Sequence, residues 1–132
     1  MNNTWKYVVE LTDEDAIQKV ESVTDVKAPE GFEKFIRMTN GGSPTKKLVN
    51  IGNSEKVIGA VLSFNKNDKN TEDVYLALKI LNRKNLIPFA IDPFGNFFCY
   101  SGESQTVVFW NHEDDALVDS EMSFKVFINS LH

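Results

Sequence analysis

The densest group of reactive side chains in this sequence is His112-Glu113-Asp114-Asp115. An imidazole beside carboxylates is the donor set of a divalent-metal site or of an acid–base pair. A zinc site, however, takes three or four N, S or O ligands in fixed geometry, and the only other histidine is His132. Paired carboxylates such as Glu113 and Asp115 recur in any acidic loop and do not by themselves define general acid–base catalysis. We therefore expect no metal and no cofactor, with His112 in a solvated loop or making a structural hydrogen bond. Cys99 lies between Phe98 and Tyr100. A reactive thiolate needs an electropositive, accessible setting, so this thiol is expected to be inert. Ser43 follows Gly41-Gly42, but the chain has no G-x-S-x-G elbow and no phosphate-cradling glycine loop after a strand. No catalytic residue is expected.

Binding has more material. Glu113, Asp114, Asp115, Asp119 and Glu121 run without a Lys or Arg until Lys125, beside Trp110. Aromatic anchors next to acids suit a basic protein surface, the anchors giving affinity and the acids steering approach. The same acids also fit a solvated connection whose last members favour a helix start. Asp13-Glu14-Asp15 is a second acidic group. These, with Asp119 and Trp110, are the candidate partner-binding residues. Trp5 reads as a tie between the N-terminal segment and the core or as a further anchor.

Composition narrows the partner. A formal charge of −5 argues against nucleic acid, because phosphate binding needs clustered Lys and Arg. No apolar run approaches the roughly 20 residues of a membrane span. The opening MNNTWKYVVEL has no basic region followed by an apolar one, so no signal peptide is expected. The single cysteine excludes an intramolecular disulfide and fits a reducing compartment. The expectation is a cytoplasmic protein, monomeric or a weak homodimer.

The elements that would carry these residues centre on Ile87 to Trp110. Asp92-Pro93-Phe94-Gly95-Asn96 and Ser101-Gly102-Glu103-Ser104 are turn signals between aromatic and β-branched runs. They predict an antiparallel meander over 87–92, 96–101 and 105–110. Before it, Thr4 to Leu11 reads as a short strand or extended arm. A first helix is expected with Thr12 as its cap, ending near Thr24-Asp25. A second starts at Ala28-Pro29-Glu30-Gly31, with Pro29 in its first turn, and stops at Asn40-Gly41-Gly42. Lys47–Ile51 and Val57–Phe64 are expected as strands and Asn65–Asn70 as a mobile loop. A third helix should cover about Glu72 to Lys84. After an acidic connection over 111–119, Asp119 or Ser120 should cap a last helix carrying Phe124, Phe127, Ile128 and Leu131. The sum is one α+β domain, with a central, mostly antiparallel sheet of about five or six strands and about four helices.

Several of these stretches, in this order, resemble the SUKH superfamily, which includes yeast cell-wall-synthesis regulators and many bacterial immunity proteins. They are the early acidic helix; Ala28-Pro29-Glu30 leading through Phe32, Phe35 and Ile36 to Thr39-Asn40-Gly41-Gly42; Ile87 to Asp92 with Gly95 to Tyr100; and Val107 to Glu113 with Ser123-Phe124 and Phe127. Ala28 departs from the leucine usual before the proline. The resemblance implies an α+β domain without catalysis and, in bacteria, an antidote that binds and blocks a cognate toxin, often a nuclease. The other implied reading is a regulatory scaffold for endogenous proteins. Asp92, Gly95 and Asn96, with Asn40 and Gly41, match its turn and helix-stop motifs; these residues, with Pro93 and Gly42 in the same turns, are expected to be structural.

Overall fold

Breaker residues divide the chain much as their types require. A computed structural model describes residues 3–66 and 72–132. In order the elements are β1 (Trp5–Lys6), α1 (Ala16–Thr24), α2 (Phe32–Thr39), β2 (Ser43–Pro44), β3 (Leu48–Ile51), β4 (Ser54–Val57), β5 (Ala60–Val61), α3 (Val74–Leu81), β6 (Leu86–Ile91), β7 (Phe97–Ser101), β8 (Val107–Asn111), β9 (Ala116–Asp119) and α4 (Phe124–Asn129). The fold is α+β. Its main sheet is antiparallel in the order β5-β6-β7-β8-β9, and β1-β2 and β3-β4 form two-stranded sheets.

The meander β6-β7-β8 lies where its turns place it, and both of its faces are buried. Register puts Phe98, Tyr100, Val107, Phe109 and Val118 on one face. There Phe89 and Phe98 meet Phe32 of α2 and Phe124 and Phe127 of α4, with ring centroids 5.3–6.2 Å apart. Such edge-to-face and tilted pairs add to the burial energy of large side chains. The other face holds Phe97, Cys99, Val108 and Trp110, all buried, and α1 and α3 pack chiefly against β6 of the sheet. The ends of α1 and α3 meet where the Asn85 N–H donates to the Thr24 carbonyl at 3.0 Å.

Several boundaries differ from the sequence expectation. Thr12 does not cap α1: its N–H and hydroxyl both donate to Asn65 Oδ1, at 2.9 and 3.1 Å. The helix starts at Ala16, after Asp13 Oδ1 accepts the Asp15 N–H. Pro29 precedes α2 instead of opening it, because Gly31, at φ +83°, makes the turn into the helix. The strand expected over Val57–Phe64 breaks at Ile58-Gly59. There the Ile58 N–H donates to Lys47 and the Gly59 N–H to Ile91, so the chain leaves the hairpin for the main sheet. In α3, Asp73 caps the Leu76 N–H and Asn82, at φ +49°, ends the helix. Neither Asp119 nor Ser120 caps α4; the Ser123 hydroxyl does, accepting from the Val126 N–H. Finally, the connection expected over 111–119 turns at 112–115 and returns as β9. Most of the loop expected over Asn65–Asn70 lies outside the described residues.

Candidate protein-interaction face

The turn between β6 and β7 is built around Asp92. One carboxylate oxygen accepts the N–H groups of Phe94 and Asn96, at 2.9 and 2.8 Å, and the other accepts Asn96 Nδ2 at 2.9 Å. Pro93 follows Asp92, and Gly95 adopts φ +91°, a conformation that favours glycine. Asn96 Oδ1 then takes both the main-chain N–H and Nδ1 of His112, at 2.9 and 2.7 Å. Since this oxygen only accepts, His112 carries its proton on Nδ1. These bonds join the β6–β7 turn to the β8–β9 turn, and they hold Phe94, 75% exposed, at the end of the sheet where the acidic run begins.

Within that run, most carboxylates already have local partners. Asp115 binds Arg83 through both its carboxylate and its carbonyl, and Asp115 Oδ1 accepts Trp110 Nε1 at 2.6 Å. Arg83 first and Trp110 second hold the Asp115 carboxyl below the usual carboxylate range. Asp114 accepts the Ala116 N–H, while Asp119 accepts the Thr106 hydroxyl and the Glu121 N–H. Glu113 and Glu121 are exposed. Trp110, read from sequence as a partner anchor, is only 4% exposed. Register sets it opposite Phe97, whose ring stacks on the indole at 5.5 Å, so it is a packing residue. Phe94 is the exposed aromatic at this end. The available signal was an apolar side chain in the middle of a turn.

The second acidic group is elsewhere. Asp13 pairs with Lys19 at 2.9 Å, which lowers the Asp13 carboxyl and raises the Lys19 ammonium. Both interact with Tyr75 in the first turn of α3, whereas Arg83 lies beyond the last. About 12 Å of helix separates the two groups. Glu14 and Asp15 are exposed beside Asp13, and the Glu14 carbonyl accepts from Arg37. Trp5 sets its ring edge-to-face on Phe35 at 5.4 Å.

The structural residues are tightly held. Asn40 is fully buried. Its Oδ1 accepts the Phe64 N–H at 2.7 Å and its Nδ2 donates to the Val9 carbonyl at 3.2 Å, so it stitches the N-terminal arm to the start of the sheet. Gly41 adopts φ +70°, and a Cβ on Gly42 would lie 2.8 Å from Val8 and 2.9 Å from the Thr39 carbonyl. Asn40 itself is not left-handed (φ −46°, ψ 121°); Gly41 supplies that conformation.

What this end of the molecule offers chemically is a strand edge. β9 is exposed along its length, including Leu117 at 39% and Val118 at 43%. The Ser120 N–H donates to Val107, so Val118 points its main-chain groups at β8 while Leu117 and Asp119 point theirs outward. Elsewhere, a cleft of about 580 Å³ between α2 and α4 is lined by Phe35, Tyr100, Phe124 and Ile128. Burial pushes the Cys99 thiol far up, away from thiolate character. Among the described residues, no three His, Cys, Asp or Glu side chains group closely enough to hold a metal, and no helix is long and apolar enough to cross a membrane.

A five-stranded antiparallel sheet covered by helices, ending in an exposed strand flanked by acidic residues, defines the class as an α+β domain. A family model described as SMI1 / KNR4 family (SUKH-1) matches residues 11–130, and the chain belongs to that family. A search of curated proteins finds no match.

Proposed function

We propose that this protein is an immunity protein, which binds a cognate toxin in the cytoplasm and blocks it stoichiometrically. Membership of the SUKH-1 family over residues 11–130 carries this reading. The net charge of −5 and the acidic end of the sheet suit a basic toxin, such as a nuclease, whose own surface is made to bind phosphate. Neutralisation then needs no turnover by this chain and no metal or cofactor. It needs an interface of about 1,600 Å² that occludes the toxin's substrate channel, with affinity concentrated in a few anchors. The protein acts as a monomer or weak homodimer.

Co-expression tests the proposal. Toxins encoded beside the gene are expressed in a sensitive host with and without this protein. Growth rescue together with a 1:1 co-purified complex is the expected result. A gene with no toxin beside it, and a protein that instead co-purifies with an endogenous partner, would identify a regulatory scaffold.

A further inference from the structure

We infer that β9 is where the partner docks, by adding an extended basic segment as a sixth strand beside it. The inference rests on the immunity reading for the partner's identity, but not for the mode of binding. Three observations carry it. Leu117 and Asp119 turn their main-chain N–H and C=O away from β8, and no bond among the described residues takes them up. An edge of this kind is a template for strand addition. The edge is also apolar on both faces, since Leu117 follows the Trp110 side and Val118 the Phe109 side, both exposed. Exposed apolar residues on an edge strand are what folded proteins ordinarily avoid.

Charge selects the occupant. Glu113, Asp114, Asp115, Asp119 and Glu121 flank or belong to β9 with no Lys or Arg between them. Two cations approach this part of the sheet: Arg83, paired with Asp115, and Lys56, which lies 4.6 Å above the Phe109 ring. The carboxylates outnumber them. A second copy of the chain, paired edge to edge, would bring two such acidic runs together, whereas a lysine- or arginine-bearing strand is attracted. Phe94, exposed on the turn tied to His112, adds an aromatic contact at the end where β9 starts.

The test is an amide-resolved NMR titration of the whole chain with an alternating lysine–valine peptide and its glutamate–valine counterpart. Saturable shifts at Leu117 and Asp119 with the basic peptide alone are the expected result. Leu117→Pro, which has no amide of its own at 117, should abolish the shift at Asp119. It deletes an outward N–H and leaves the main-chain groups of Val118, which face β8, in place, so the fold should be retained. Should that variant misfold, Glu113→Lys combined with Glu121→Lys is an independent probe, expected to weaken binding roughly tenfold. Peptide shifts elsewhere on the molecule, or shifts at Leu117 and Asp119 that track protein concentration without peptide, would overturn the inference. A toxin arm separates the two proposals. If wild type protects cells and Leu117→Pro protects equally, β9 is wrong and the immunity reading stands. If the basic peptide binds at β9 but no neighbouring toxin is neutralised, the immunity reading fails and β9 stands.

Discussion

The two edges of the main sheet are finished differently. At β5 the Val61 N–H donates outward to Gly42 at 2.8 Å, and buried Asn40 ties the adjoining segment to the N-terminal arm. At β9, Leu117 and Asp119 face outward and every residue of the strand is exposed. The covered edge depends on the buried hydrogen bonds of Asn40 and on the absence of a Cβ at Gly42, and the exposed residues of β9 carry no such constraint. Structural demand therefore concentrates at one side of the sheet.

Removing Asn40 should have the largest effect. Asn40→Ala strands the Phe64 N–H in the core and should cost about 3 kcal/mol, read as a fall in the urea midpoint. Gly42→Ala forces a methyl against Val8 and the Thr39 carbonyl, and should cost about 2 kcal/mol in the same measurement. A smaller effect is expected from acid. The Asp115 carboxyl is depressed in the folded state, so its contribution is complete above the ordinary carboxylate range and is lost as pH falls through the lowered folded value. Solvent screening keeps it small. The Trp110 indole N–H resonance should move in that acid window, and Asp115→Asn should remove the step. Smallest of all, Leu117→Ser at the open edge should change stability by no more than about 0.5 kcal/mol. A loss there as large as that of Gly42→Ala would mean that the edges are not different in kind.

How much of this was legible in the sequence follows from the range of the interactions. Asp92-Pro93-Phe94-Gly95-Asn96 and Asn40-Gly41-Gly42 act on their own backbone, so their turns could be read locally. Thr12 looked like a cap, but its partner is Asn65, far along the chain, and no local pattern announces that bond. β9 was hidden because Ala116-Leu117-Val118-Asp119 is short and flanked by acids; it is a strand through pairing with β8. Trp110 reads as an anchor because it stands beside a run of acids, while its burial follows from register with Phe97. The acidic run was visible, but not that Asp114, Asp115 and Asp119 each hold local hydrogen bonds.

The open edge as docking strand is tested most directly by residue-resolved amide exchange, on the protein alone and in its complex with the neutralised toxin. In the free protein the Val61 amide should be strongly protected and those of Leu117 and Asp119 should exchange freely; in the complex the latter two should slow sharply. Protection of Leu117 and Asp119 before any partner is added, or exchange there unchanged in the complex while another surface becomes protected, would contradict the account.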